Sequence, residues 1–362
     1  MITATQLTID SRNGTYTVHI GAGLTGDLPR LLEEASLPAR RVIVSSPRIW
    51  RLHGRALTGV APRPGAVLFP DGERYKTLQS VTRIWDALVR GAADRATTVI
   101  AFGGGVVGDV AGFAAAAYLR GVPVVQVPTT LLAQVDSAIG GKVGVNHPQG
   151  KNLIGAFHAP ALVVADPLLL ATLPRREFRS GLYEVVKYGV IASRPLLDRV
   201  AEALPAVFAR EPAVLQPIIA DCCRIKADVV MRDERESGPR RVLNFGHTVG
   251  HALETITRYR RFLHGEAVAL GMLCIAELAL ARGTMAGSDA DRLRQLVVQM
   301  GPLPPLGDLS ASQAMEAIRR DKKTVAGTLH VVLPTGLGAV SIVDDVTEKD
   351  LEKAMRKAGM RR

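Results

Sequence analysis

The chain has 362 residues, more than one hydrophobic core ordinarily serves, so two domains are expected. Its 47% hydrophobic and 22% charged residues suit a globular enzyme, and 4% aromatic content leaves few rings for stacking on nucleic-acid bases. A net charge of +11 favours anionic partners; most of it reads as a basic surface, helped by Arg356, Arg361 and Arg362.

In chain order, residues 41–45 read as a strand, 77–90 as an amphipathic helix and 98–102 as a second strand. That strand feeds a glycine-rich turn and an alanine-rich helix over 110–119, followed by strands at 122–127 and 161–165. Continuous apolar strands separated by helices predict a largely parallel sheet covered on both faces, an α/β, Rossmann-like nucleotide-binding domain. Beyond about residue 173 the strand signal fades, and 180–192, 196–209, 212–231, 247–258, 265–282, 288–300 and 310–320 read as helices, with a late β-like patch at 329–333. The predicted division is therefore 1–174, an α/β domain, and 175–362, a mainly α-helical one. The longest apolar stretch, 267–281, contains Glu277 and is too short to span a bilayer, so it reads as a buried helix and no membrane partner is expected.

Three cysteines, Cys222, Cys223 and Cys274, supply neither a disulfide framework nor the paired spacing of a thiolate zinc site. With no basic leader or apolar run over the first six residues, a reducing cytoplasm is the expected location.

Gly103-Gly104-Gly105-Val106-Val107-Gly108 fits G-x-G-x-x-G between a predicted strand and helix, where backbone amides can meet a pyrophosphate. Tight strand-to-helix packing explains the same glycines. The acid usually found after the next strand is absent, since that position reads Val127-Pro128-Thr129, so a dinucleotide would bind by a variant scheme using Asp109 and the Thr129 and Thr130 hydroxyls.

The run from Asn244 to Glu254 sets His247 and His251 one helical turn apart, and His264-Gly265-Glu266 follows. A catalytic zinc takes three protein ligands and keeps one open position. Spacing leaves Glu184, Glu254, His264 and Glu266 open as further ligands. Thr248 stands where a zinc protease would have glutamate, which disfavours that chemistry. Asp136 to Lys142 and Gly150-Lys151-Asn152 place lysines beside glycines; with Lys187, Lys226, Arg240, Lys322 and Lys323 they suggest a substrate bearing more than one negative charge.

Taken together, Gly72-Glu73-Arg74-Tyr75-Lys76, Gly103 to Asp109, Pro128 to Asp136, Gly150 to Gly155, Glu184 to Gly189, Leu243 to His251, His264 to Ala267 and Asp321-Lys322-Lys323 resemble the 3-dehydroquinate synthase family from about residue 67 to 335. The resemblance implies a two-domain, usually dimeric enzyme that converts 3-deoxy-arabino-heptulosonate 7-phosphate, a phosphorylated sugar acid, to 3-dehydroquinate and phosphate. NAD and a divalent metal, zinc or cobalt, serve as cofactors. It implies Glu184, His247 and His264 as metal ligands and gives His251 a substrate-side role. Asp136, Lys142, Asn152, Lys187, Lys226, Arg240, Asn244, His251 and one of Lys322 or Lys323 match substrate contacts; Arg120 matches an arginine reaching the partner subunit's phosphate site. Glu73, Lys76, Gly104, Gly105, Asp109, Thr129, Thr130, Lys142, Lys151 and Thr172 match nucleotide contacts. In that scheme Lys142, Asn152 and Arg120 orient the phosphate, Lys226 and Arg240 hold the carboxylate, and Lys187 and His251 handle protons.

Two departures from the family pattern stand out. Ser45-Ser46-Pro47-Arg48 replaces a run whose acid helps hold the adenosine ribose, which raises the question of NAD against NADP, and Tyr183 precedes Glu184 where a small residue is usual. Retention of both Lys226 and Arg240 argues against cyclases acting on substrates without a carboxylate, such as 2-deoxy-scyllo-inosose synthase; aminodehydroquinate synthase is the other alternative. A metal-dependent polyol dehydrogenase would not need the lysine-rich cradle. A nucleic-acid-binding protein would explain the charge and neither motif, and salt-dependent affinity would expose it.

Overall fold

The computed structural model describes residues 4–12, 14–61, 65–236, 238–323 and 329–361, with only the backbone of 321–323. In chain order the strands are β1 (Thr5–Ser11), β2 (Gly14–Ile20), β3 (Arg40–Ser45), β4 (Val67–Leu68), β5 (Thr97–Gly103), β6 (Val124–Pro128), β7 (Lys142–His147), β8 (Gly150–Phe157), β9 (Leu162–Ala165), β10 (Val331–Gly336) and β11 (Ala339–Val343). The helices are α1 (Leu28–Glu34), α2 (Pro47–His53), α3 (Leu78–Arg90), α4 (Gly105–Ala117), α5 (Arg175–Ala192), α6 (Arg194–Glu202), α7 (Leu204–Ala209), α8 (Pro212–Arg232), α9 (His247–Ile256), α10 (His264–Arg282), α11 (Gly287–Gln299), α12 (Ala311–Lys323) and α13 (Glu348–Lys357). They fall into two compact units, Met1–Pro174 with Phe208–Arg235, and Arg175–Val207 with Glu236–Arg362. The second segment of the first unit carries α8.

The first unit is built on a seven-stranded sheet of order β1-β2-β9-β6-β5-β3-β4. Every pairing is parallel except β1 with β2. Strand β5 is buried throughout, and its alternation divides the core. Val99 and Ala101 pack with Val81 and Ile84 of α3 and Val110 and Ala114 of α4, whereas Ile100 and Phe102 pack with Leu28, Leu31 and Leu32 of α1. Both faces of the sheet are therefore covered, the condition that makes its strands continuously apolar.

Three local features depart from the periodicity. Helix α4 begins at Gly105 rather than at 110, because the glycine turn itself bends straight into the helix. The hairpins β1–β2 and β7–β8 lie outside the expected strands: β2 alternates polar residues with buried Tyr16, Val18 and Ile20, and β7–β8 forms its own antiparallel sheet. The predicted single helix over 196–209 is two, α6 and α7, broken at Ala203.

In the second unit α10 packs on α5 and α9 with almost no space between backbones. A Cβ on Gly271 would stand 1.9 Å from the Gly246 carbonyl oxygen, and one on Gly265 1.9 Å from that of Ser180. Gly246, at φ +78°, occupies the left-handed region from which α9 starts. Helix α10 is long and apolar enough to cross a membrane, yet it is largely buried in the unit, as a core helix is.

Candidate active site

Helices α5, α9 and α10 bring Glu184, His247 and His264 together, each offering a ligand atom, all within 4.8 Å of one another. Glu184 Oε1 lies 3.7 Å from His247 Nε2 and 3.4 Å from His264 Nε2. The edge of a tetrahedron with zinc–ligand bonds of about 2.0–2.1 Å is about 3.4 Å, close to both of these separations, so the donor set suits a small divalent cation.

Each imidazole is held from behind. His247 Nδ1 lies 3.1 Å from the Phe245 carbonyl oxygen, which makes it the donor and leaves the Nε2 lone pair facing Glu184. Burial, reinforced by the Lys187 ammonium, pushes the His247 imidazole down to about 3, so it is neutral as a ligand must be. His264 turns Nε2 toward Glu184 and Nδ1 toward Glu254, whose buried carboxylate stands 3.7 Å away. Burial works against a charge on His264, but Glu184 and Glu254 together hold it up at about 10.

The structure separates the ligand candidates that spacing left open. Glu266 is engaged elsewhere: Arg176 donates to both its oxygens at 2.7 Å, and the Leu263 amide donates at 2.9 Å. By accepting from the Leu263 amide it satisfies one free donor at the start of α10, and through Arg176 it ties that start to α5, the helix that carries Glu184. Glu254 lies behind His264, in a second group with His251 and His264.

Around the cluster, Lys187 Nζ pairs with Glu184 Oε2 at 2.5 Å, and His251 is exposed with its ring 5.3 Å from that of His247. Arg240 is buried in the turn Pro239–Asn244, and Asn244 Nδ2 donates to Glu236 at 2.6 Å. The side chains of Lys322 and Lys323 lie outside the described residues. Tyr183 is fully buried, its hydroxyl has no hydrogen-bond partner among the described residues, and burial pushes it up to about 12. Nothing in the structure explains a tyrosine there.

In the first unit the glycines of the turn answer to close packing. All have negative φ, and a Cβ on Gly103 or Gly108 would meet Val107 at 2.6 Å or Gln126 at 2.7 Å. Gly104 and Gly105 nevertheless stand at the N-terminus of α4, beside Thr130 and Ser137. The Thr129 hydroxyl is buried without a partner among the described residues, a polar atom that a bound ligand would satisfy. Asp109 pairs with the buried Lys76 ammonium, which also donates to Asn152. Burial nonetheless raises the Asp109 carboxyl in spite of Lys76. Lys151 Nζ lies 3.9 Å from Glu73, and Thr172 Oγ1 lies 2.6 Å from His53 Nε2.

Lys226, on α8, pairs with Asp136 Oδ1 at 2.5 Å and donates to its carbonyl oxygen at 2.6 Å. Lys142 opens β7 and is exposed, as is Arg120, which sits at φ +68°. At the departure after β3, Ser45 donates to the Phe102 carbonyl and Ser46 caps α2.

Sequence reasoning passed over three residues: Glu254 as a support for His264, His53 beside Thr172, and Asn146. The first could have been found from its place one turn after His251; the other two depend on contacts distant in sequence.

Comparison with known proteins gives the family of the chain. The 3-dehydroquinate synthase N-terminal family model matches residues 66–180, and the C-terminal model matches 181–324. The 3-dehydroquinate synthase of a Cyanothece species is 47% identical over 343 residues, covering 92% of this chain and 93% of that protein. That of Geobacter metallireducens is 47% identical over 341 residues, 93% of this chain and 95% of its own. Among solved structures, 2-epi-5-epi-valiolone synthase from Streptomyces hygroscopicus, with NAD+ and Zn2+ bound, superposes with a TM-score of 0.88 at 28% identity, covering 96% of this chain and 98% of that one.

Proposed function

The chain belongs to the 3-dehydroquinate synthase family, and on that premise we propose how its own residues carry the reaction. It is a carbon–oxygen lyase of the shikimate pathway, converting 3-deoxy-D-arabino-heptulosonate 7-phosphate to 3-dehydroquinate and phosphate. When bound, NAD removes and returns a hydride while a divalent metal acidifies a substrate hydroxyl, so the cofactor is regenerated and the intervening ketone permits phosphate elimination before aldol closure.

The donor cluster of Glu184, His247 and His264 carries this reading, and we assign it the metal. In the same unit Lys187, against Glu184, and the exposed His251 are assigned to proton handling, with Arg240 and Asn244 on the substrate. Lys322 is proposed for the substrate from the family pattern alone. In the first unit Glu73, Lys76, Gly104, Gly105, Asp109, Thr129, Thr130, Lys151 and Thr172 are assigned to the nucleotide. Lys142 is assigned to nucleotide and phosphate, Asn152 to phosphate, and Lys226 with Asp136 to the carboxylate end. Holding both ends of a flexible sugar acid suppresses unproductive conformers, which is where positioning contributes most.

We further propose a cytoplasmic homodimer, with the main division of each chain after residue 174 and the segment 208–235, which carries α8, grouped with the first unit rather than with the rest of 175–362. The exposed Arg120 and its exposed apolar neighbour Leu119 support a subunit boundary there, and three buried free cysteines support a reducing compartment.

The decisive experiment supplies the heptulosonate phosphate, NAD and zinc, then follows phosphate, product and absorbance at the NADH wavelength. Dehydroquinate and phosphate in equal amounts without NADH build-up are expected. Stoichiometric NADH would instead mark a plain dehydrogenase and overturn the assignment.

A further inference from the structure

Asn146 lies on β7 where the pairing with β8 shifts register between Val145 and His147. A register shift of this kind re-aims a side chain out of the regular alternation. Its amide oxygen accepts from the Asn152 backbone N–H at 2.9 Å, and its amide nitrogen donates to Glu73 Oε1 at 2.8 Å. Its own backbone N–H donates to the Lys76 carbonyl oxygen at 2.8 Å. The orientation of the amide is dictated by its partners, because a backbone N–H only donates and an ionised carboxylate only accepts.

Glu73 and Lys76, from one turn far away in sequence, and Asn152, across the hairpin, are thereby fixed to one side chain and its backbone. Glu73 belongs to the short turn before α3, Lys76 follows it, and Asn152 sits on β8 at φ +56°. A left-handed conformation at a residue other than glycine costs energy and persists where its surroundings hold it. The Asn146 oxygen supplies one such hold and Lys76, donating to the Asn152 side chain, supplies another.

We propose that Asn146 is a positioning residue, joining the nucleotide contact Glu73 to the anion contact Asn152 so that the two hold a common geometry. This rests on the assignment of Glu73 and Asn152 given above. The two arms of the amide are separable by chemistry. Aspartate at 146 keeps the oxygen that receives the Asn152 N–H but turns a second carboxylate on Glu73. Alanine removes both arms.

The test measures NAD binding directly by calorimetry, apart from turnover, and KM for the heptulosonate phosphate by phosphate release, with circular dichroism as the check on folding. Glu73 is partly exposed, so the charge effect is moderate: Asn146→Asp should raise the Kd of NAD about five- to tenfold and leave the substrate KM within about twofold. Asn146→Ala should raise both. In a Glu73→Gln background the difference between asparagine and aspartate at 146 should fall below about twofold, a dependence that general loosening of the hairpin would not produce. An unchanged Kd in Asn146→Asp, or a change that survives in Glu73→Gln, would overturn the proposal. If wild-type protein forms no carbocycle while the Asn146 and Glu73 effects on NAD remain coupled, the activity assignment fails and the nucleotide arm of this proposal stands.

Discussion

Replacing Glu266 by glutamine separates a structural tie from a metal ligand. The carboxylate is fully buried and takes two hydrogen bonds from Arg176 and one from the Leu263 amide, with Arg179 a further 3.5 Å contact. Breaking a buried ion pair from one side costs about 3–5 kcal/mol, but Arg176 is half in water and can rehydrate, so about 2 kcal/mol is the expected loss. In a unit of this size that lowers the melting temperature by about 4–8 °C, read by calorimetry at pH 7. Burial opposes ionisation of Glu266, yet Arg176 and the Leu263 amide hold its carboxyl below the ordinary value. Its contribution is therefore present above the unfolded pKa of about 4.3 and lost as pH falls toward the lower folded value. The gap between wild type and variant should close across that acid window. Zinc should still bind with one ion per chain, weakened no more than about tenfold because only the seating of α10 is disturbed. A variant that melts like wild type but binds no zinc would make Glu266 a ligand and refute the account.

Glu254→Gln removes the carboxylate behind His264 Nδ1 and should weaken zinc about 10–100-fold in chelator competition; unchanged affinity would deny Glu254 any part in presenting that ring. Burial pushes Cys223 and Cys274 up to about 12, so at pH 8 only about one thiol in ten thousand is ionised at either site. Cys222 is equally buried, and a disulfide reagent at that pH should label no cysteine in native protein and all three after denaturation. Rapid labelling of native protein would show that these helices open. A methyl at Gly265 would meet the Ser180 carbonyl at 1.9 Å, so Gly265→Ala should cost more than about 3 kcal/mol or prevent folding, as judged by soluble yield and melting. Wild-type stability in that variant would mean α5 and α10 sit further apart.

What could be read from the chain follows from how local each signal is. The buried strands of the parallel sheet and the helices α3, α5 and α9 to α11 declare themselves by periodicity, because burial on both faces or on one face dictates composition directly. The hairpin β7–β8 does not, since its pairing is settled by a register shift and by side chains such as Asn146 reaching residues seventy positions away. His247 and His251 were legible as a pair because they lie on one helix. Choosing the donors that join His247 was not, since Glu184, Glu254 and Glu266 are all carboxylates and only tertiary placement gives Glu266 its arginines and Glu254 its place behind an imidazole. The glycine turn shows the converse. Its pattern was plain, but the pattern alone did not say that Gly103 and Gly108 are required by Val107 and Gln126.

The apposition of Gly246 and Gly271 leaves no side chain between the stretches that lead to His247 and run on from His264. Peptide planes do not swap rotamers or lengthen, so the separation of these two stretches is set by main chain, and apolar substitutions deeper in the unit can loosen the helices without widening it. The imidazoles of His247 and His264 therefore start from a fixed backbone spacing, and a side chain introduced at either glycine would spread their bases apart.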